Sequence, residues 1–148
     1  MTTARRETAR VRSATPSDAE AIANLLGQLG YASTAESVVS RLARMASELG
    51  HHVLVAELDG AVVGLVSVFV RHLLSTDAPL ARIASMVVDD SRRSRGVGHQ
   101  LVMAAEALAR DAGCDRIEVT SAERRTRAHA FYRRLGYEDR PQRFVKPL

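Results

Sequence analysis

An apolar strand that leads into a basic, glycine-containing turn and then into a helix constrains this chain more than any other feature, and it spans residues 87–101. The first turn of a helix leaves backbone N–H groups without partners and carries the positive end of the helix dipole. Glycines let such a turn approach an anion without an intervening Cβ, and Arg93 and Arg95 add positive charge. The segment therefore predicts a phosphate-binding site between a strand and a helix.

The length of 148 residues predicts a single domain over residues 1–148, with residues 1–10 as a flexible N-terminal tail. No apolar run approaches the ~20 residues of a membrane span, and the basic N-terminus lacks the apolar core of a secretory signal. A cytoplasmic location is therefore expected. Cys114 is the only cysteine, and the adjacent His51 and His52 lack the spacing of a metal-binding pair, so neither a disulfide nor a metal is expected.

The net charge of +4 raises the question of a nucleic-acid partner. Lys146 is the only lysine among 21 basic residues, and the arginines scatter over several segments with acids between many of them. A dedicated nucleic-acid surface would gather its basic residues on one face. The positive charge is therefore better explained by the binding of small anionic ligands, and neither a nucleic-acid nor a membrane partner is expected.

The apolar patterns along the chain predict alternating strands and helices. Asp59-Gly60 between two β-branched runs is a strong signal for a two-residue hairpin turn. Strands are expected at residues 11–12, 52–58, 61–70, 81–88 and 117–120, helices at residues 19–29, 34–49, 97–112 and 125–135, and a last extended stretch at residues 137–145. A hairpin combined with helical crossovers predicts an α/β (α+β) fold, in which helices flank a mixed central sheet in the order β-α-α-β-β-β-α-β-α-β.

Three kinds of glycine-containing phosphate loop compete for the basic turn. A Walker-type loop needs a lysine and a serine or threonine after its last glycine, where this chain has His99 and Gln100, so that interpretation fails. A dinucleotide-binding loop needs a third small residue where Leu101 stands, and its place late in the chain disfavours it, although Glu118 lies at about the distance of the ribose-binding acid. The third interpretation is an Arg-x-x-Gly-x-Gly turn, completed by Arg93, Gly96 and Gly98.

That turn, Arg93-Ser94-Arg95-Gly96-Val97-Gly98, resembles the acyl-CoA pyrophosphate loop of the GNAT superfamily of N-acetyltransferases. A second segment is similar to a later motif of the same family, an alanine followed by Phe-Tyr and by Gly-Phe/Tyr, and is formed by Ala128, Phe131-Tyr132 and Gly136-Tyr137. The two motifs occur in the family's order and spacing, and the resemblance extends over about residues 11–146. It implies the GNAT fold and acetyl-CoA as the co-substrate.

The resemblance also implies where the acyl-CoA binds. In that family the strand before the loop carries a bulge and splays from its neighbour, which leaves backbone groups free to pair with the pantetheine arm and an N–H to stabilise the oxyanion. Arg125 stands where many members have an asparagine, and we expect it to reach a phosphate or an acid. The expected cofactor-binding residues are Met86, Val87, Val88, Arg93, Ser94, Arg95, Gly96, Val97, Gly98, His99 and Arg125.

The general acid implied by the resemblance is Tyr132, which matches the family tyrosine that protonates the departing thiolate. A phenol is a weaker acid than a thiol by a modest margin, which hydrogen bonding can offset. Helical periodicity by itself would instead make Tyr132 a core residue beside Phe131 and Leu135.

A general base does not stand out. Many members of the family carry an acid in the strand before the loop, whereas residues 81–86 contain none, and Ser85 could at most order a water. Glu118, an acid within an apolar strand, is one candidate, although strand acids are more often solvated or ion-paired. His72, which follows the strand at residues 61–70, is the other.

The expected function is an acetyl-CoA-dependent N-acetyltransferase that moves the acetyl group directly to the amine of a small molecule or peptide in a ternary complex. An acyl-enzyme is not expected, because Cys114 has no evident base partner and lies outside both motifs. A catalytically silent acyl-CoA-binding or sensing domain of the same fold and a basic nucleic-acid-binding module are the alternatives. A homodimer stays open.

Overall fold

The computed structural model describes residues 8–93, 96–120, 126–140 and 143–148. The strands in these ranges are β1 (Arg10–Ser13), β2 (His51–Leu58), β3 (Ala61–Arg71), β4 (Leu80–Val88) and β5 (Ile117–Val119). The helices are α1 (Ala19–Leu29), α2 (Ala35–Ala46), α3 (Val97–Asp111) and α4 (Thr126–Arg134), with 3₁₀ turns at Pro16–Asp18 and Asp90–Arg92. The predicted α/β fold class, a mixed sheet flanked by helices, is confirmed.

The sheet has the order β1-β2-β3-β4-β5, with antiparallel pairs from β1 to β4 and a parallel pair between β4 and β5. Asp59 and Gly60 close the β2–β3 hairpin at φ of 52° and 77°, and both signs are those that a type I′ turn requires. The chain between β4 and β5 passes through α3, and such a helical crossover makes the two strands parallel.

Apolar clusters cover both faces of the sheet. On one face α3 packs against β3 and β4 through Val97, Leu101, Ala105, Val66, Val68 and Ile83. On the other face α1 and α2 pack against β2, β3 and β4 through Ile22, Leu25, Val38, Val55, Leu65 and Val87. Residues 63–68 of β3 are buried one after another, as in a strand that is covered on both faces.

β4 changes its pairing halfway along its length. Ser85 pairs with Ser67 and Ile83 pairs with Val68, so Ala84 is an extra residue that forms a bulge. On its other edge β4 pairs with β5 only over residues 81–83. β5 ends at Val119, so from residue 84 to 88 that edge has no strand partner in the described part of the chain.

The two ends of the chain differ from the prediction. Ala9 is 5% exposed and exchanges hydrogen bonds with the side chain of Gln100, and β1 starts at Arg10, so residues 9 and 10 belong to the folded domain rather than to a tail. The final extended stretch predicted at residues 137–145 forms no strand at residues 137–140 and 143–145, and the backbone has no regular structure from there to residue 148. Phe144 is 94% exposed there, so no neighbouring element covers it.

α2 ends at Ala46 rather than near Gly50, because Ser47 closes the helix and Leu49 points into solvent. Within the described ranges, none of the helices combines the length and the apolar character needed to cross a bilayer.

Candidate active site

A cleft of about 620 Å³ opens at the carboxyl end of β4, between the start of α3, the end of α1 and α4. Its volume falls within the range of small-molecule sites. All the predicted cofactor-binding residues that the structure describes line this cleft: Met86, Val87, Val88, Arg93, Gly96, Val97, Gly98 and His99. Ser94, Arg95 and Arg125 lie outside the described residues.

The start of α3 presents backbone donors to the cleft. Gly96 is its N-cap at φ of 81°, a left-handed conformation that favours glycine, and among the described residues no side chain caps the helix. Arg92 and Arg93 line the same end of the cleft, where Arg93 also pairs with Asp90 at 2.6 Å. The N–H groups of a helix N-terminus, the helix dipole and two guanidinium groups suit a phosphate.

Gly98 brings α3 close to α4. A Cβ at this position would stand 3.4 Å from Cζ of Phe131 and 3.7 Å from Cγ2 of Val88. Phe131, Val88 and Met86 form the apolar side of the cleft. A ligand that combines phosphates with a long, mostly apolar arm therefore fits these residues, as the resemblance to the GNAT superfamily implies for acyl-CoA.

The strand-to-helix turn is held from α1 by Gln28. The amide nitrogen of Gln28 donates to Oδ2 of Asp89 at 3.2 Å, and its oxygen accepts from the backbone N–H of Asp90 at 2.9 Å. Oδ1 of Asp89 accepts from the hydroxyl of Ser91 at 2.6 Å and from its backbone N–H at 2.9 Å, and these bonds lower the pKa of Asp89.

Neither Gln28 nor Asp89 is among the residues predicted from the sequence. The spacing of Asp89 and Ser91 is that of an Asx turn and could have been recognised. Gln28 carries no comparable local signal, because its partners lie about sixty residues away along the chain.

Tyr132 of α4 points into the cleft and is 8% exposed. Its hydroxyl donates to Sδ of Met86 at 3.8 Å, so it reaches the free edge of β4. The ring is fixed by edge contacts with Phe131 at 5.3 Å and Tyr137 at 5.6 Å between centroids. The Tyr137 hydroxyl in turn bonds to Glu106 at 3.3 Å, and burial with the nearby carboxylate raises the pKa of Tyr137.

The two candidate bases lie apart from the cleft lining. Glu118 on β5 accepts a hydrogen bond from Arg82 at 2.8 Å, and its side chain is 42% exposed. His72 is exposed and follows β3 directly. Because Arg71 pairs with Leu80 while Val88 lies at the other end of β4, His72 is at the opposite end of the sheet from the phosphate turn.

Cys114 lies away from the cleft and packs against the core on the α3 face. Burial raises the pKa of its thiol, which keeps the thiol protonated and weakly nucleophilic. This placement supports a packing role for Cys114.

A model of the acetyltransferase (GNAT) family matches residues 20–137 of this chain. An aminoglycoside N(6')-acetyltransferase type 1 from Stenotrophomonas maltophilia is 32% identical over 133 residues, which are 87% of this chain and 86% of that protein. An aminoalkylphosphonate N-acetyltransferase from Salmonella typhimurium strain LT2 is 35% identical over 97 residues, which are 66% of this chain and 63% of that protein.

Among solved structures, an aminoglycoside N-acetyltransferase in complex with coenzyme A superposes with a TM-score of 0.83. The match covers 99% of each chain at 19% sequence identity. At that identity the likeness shows a shared fold.

Proposed function

This chain belongs to the acetyltransferase (GNAT) family and is an N-acetyltransferase, and on that premise we propose that it moves an acetyl group from acetyl-CoA directly to a small-molecule amine in a ternary complex. One observation carries the proposal. The edge of β4 that β5 does not occupy, the N-terminus of α3 and the hydroxyl of Tyr132 all meet in one cleft.

The phosphate end of the donor would lie at the start of α3. Backbone N–H groups of residues 96–99 would donate to the pyrophosphate oxygens, and Arg92 and Arg93 would balance the negative charge. The backbone of residues 86–88 would pair with the pantetheine arm as a strand pairs with its neighbour, because β5 does not occupy that edge. Acetyl-CoA supplies the thioester whose acetyl group is transferred.

Tyr132 is the proposed general acid. Its hydroxyl lies beside Met86, at the free edge of β4 where the thioester would be held, and could pass a proton to the departing thiolate. A backbone N–H at the same edge would stabilise the negative charge that develops on the carbonyl oxygen in the transition state. The acceptor amine attacks the carbonyl carbon, the carbon–sulfur bond breaks, and coenzyme A leaves as a thiol.

Removal of the amine's proton is proposed to pass through water. Residues 80–88 carry no carboxylate, and Ser85 lies on β4 directly before Met86, where its hydroxyl could order a water. Glu118 and His72 stay candidate bases by prediction only, and their places outside the cleft lining favour a relay over direct contact.

The cytoplasmic location of the protein stays a prediction, and the question of a homodimer stays open.

Thermal unfolding with and without acetyl-CoA, followed by a thiol-release assay over a panel of amines, tests the proposal. A ligand at ~100 times its dissociation constant adds ~2.7 kcal/mol to the stability of the folded state, so acetyl-CoA should raise the melting temperature clearly. Coenzyme A should then be released with at least one amine. Stabilisation without release by any amine would favour a sensing domain, and no stabilisation at millimolar acetyl-CoA would contradict both.

A further inference from the structure

A row of polar and aromatic side chains crosses the sheet where β4 and β5 are still paired. His51 pairs with Phe69, Phe69 with Arg82, and Arg82 with Glu118 in the strand register. Side chains that pair across strands share one face of a sheet. This face is the one that α1 and α2 cover further along, since Leu65 lies four residues before Phe69 on β3.

Two arginines gather around the aromatic ring in this row. Arg71 lies two residues after Phe69 on the same face, with its guanidinium carbon 4.1 Å from the ring centroid. The guanidinium carbon of Arg82 lies 5.7 Å from the same centroid. We call Arg71, Arg82, Phe69 and Glu118 the arginine cluster.

The arginine cluster has positive charge and donors to spare. Glu118 accepts a hydrogen bond from Nη2 of Arg82 at 2.8 Å, but Arg71 has no ion pair with any described residue. Nε of Arg82 is buried and has no hydrogen-bond partner in the described part of the chain. A buried donor without a partner is costly, so the pair with Glu118 leaves Arg82 only partly compensated.

The arginine cluster stands where the pairing of β4 with β5 ends. Ile83 and Val119 form the last strand pair, directly after Arg82 and Glu118. The unpaired edge of β4, along which the thioester would be held, begins at Ala84, two residues after Arg82 and about 7 Å along an extended strand. An acceptor that places its amine at the thioester can therefore extend its other end toward the two guanidinium groups.

We propose that the acceptor is a small amine that carries an anionic group, a phosphonate or a carboxylate, and that Arg71 and Arg82 bind this group. The inference rests on the proposed N-acetyltransferase function and names its substrate class. Two arginines beside one carboxylate repel a polycationic amine such as an aminoglycoside, whereas they pair with the oxygens of an anion. The aromatic ring of Phe69 holds both guanidinium groups in place.

The acceptors that test this inference are matched amines. Coenzyme A release is measured with 2-aminoethylphosphonate, β-alanine, the neutral propylamine and the polycation kanamycin. The value of kcat/KM for 2-aminoethylphosphonate should exceed that for propylamine and kanamycin by about tenfold or more. Equal or better use of propylamine or kanamycin would overturn the inference and leave the N-acetyltransferase function standing.

Variants then assign the effect to the arginine cluster. Arg71→Gln and Arg82→Gln should each raise KM for 2-aminoethylphosphonate about tenfold, with little change in kcat, in the use of propylamine or in acetyl-CoA affinity. Arg82→Lys should recover part of the loss, and the exposed Arg140→Gln should behave as wild type. An unchanged KM in both glutamine variants would overturn the assignment.

Binding gives a readout that does not depend on turnover. Calorimetric titration of 2-aminoethylphosphonate into the protein with coenzyme A should show binding that weakens in Arg82→Gln, and no binding to wild type would contradict the inference. Failure of acetyl-CoA itself to bind would instead contradict the proposed function. Melting temperatures of the variants show that each one is folded.

Discussion

The two ends of β4 recognise ligands in different ways. At its carboxyl end, the turn and the start of α3 offer backbone N–H groups. Glycines there allow a left-handed backbone conformation and a close approach to α4. At its amino end, the arginine cluster is assembled from side chains of β3, β4 and β5. The comparison separates a part of the site that a short motif can encode from a part that depends on strand register.

The largest expected effect is on the rate of acetyl transfer, which takes place between these two ends of β4. Tyr132→Phe should lower kcat about 100-fold, the lower range for loss of a general acid, and leave acetyl-CoA affinity within about twofold of wild type. Tyr137→Phe is the matched control, because its hydroxyl bonds to Glu106 outside the cleft lining. Equal loss of binding and turnover in Tyr132→Phe would assign this tyrosine a packing role.

Two ion pairs extend the comparison between buried and exposed parts of the sheet. The pair between Arg12 and Asp18 is shielded from solvent on its Asp18 side, whereas the pair between Arg82 and Glu118 is exposed and can be reached by a ligand. Arg12 holds Asp18 through two hydrogen bonds of 2.8 and 2.9 Å, which lower the pKa of Asp18 to about 2. The lowered pKa contributes about 2 kcal/mol of stability above pH 4, and this contribution is lost as the pH falls toward 2.

Urea unfolding of wild type and Asp18→Asn between pH 6 and pH 2 measures this contribution. The difference in unfolding free energy between the two proteins should be largest near neutral pH and should shrink below pH 4. The same comparison with Glu118→Gln should give less than about 1 kcal/mol at any pH, because that pair is about 40% exposed. A larger loss of unfolding free energy in Glu118→Gln would mean that the pair stabilises the fold rather than serving a ligand.

Acetyl-CoA binding at the glycine-containing turn can be weakened by a substitution that removes no side-chain contact. Gly96→Ala places an alanine at φ of 81°, which costs about 1 kcal/mol of stability. It should also weaken acetyl-CoA binding about tenfold, because the first N–H groups of α3 would shift. Gly60→Ala, at φ of 77° in the distant hairpin turn, should lose similar stability and keep its acetyl-CoA affinity. Unchanged affinity in Gly96→Ala would contradict the phosphate role of the turn.

The smallest expected effect is on the support of that turn. Gln28→Ala removes both hydrogen bonds to residues 89 and 90. The dissociation constant for acetyl-CoA should rise a few-fold, since each bond contributes about 1 kcal/mol. Gln100→Ala, which loses its bonds to the backbone of Ala9 instead, should lower stability and leave acetyl-CoA affinity unchanged. Titration calorimetry of both variants separates the two roles.

Most of the fold could be predicted from local patterns. The Asp59-Gly60 hairpin and the apolar stripes of α1 and α3 are short-range signals that neighbouring residues carry by themselves. The final extended stretch was predicted wrongly as a strand for residues 137–140 and 143–145, because an extended segment becomes a strand only where it pairs with a sheet edge. The early end of α2 at Ala46 was missed for a similar reason, since Leu49 has nothing to pack against.

The amino-acid sequence by itself determined the glycine turn, the tyrosine of α4 and the apolar faces that place them on one strand–helix unit, because these features depend on residues close together in the chain. Only the tertiary structure decided that β5 pairs with β4 at residues 81–83, that Gln28 supports the turn and that Arg71 and Arg82 meet over Phe69. Those contacts depend on the register of strands that are distant in sequence, and a one-residue slip would turn each side chain to the opposite face.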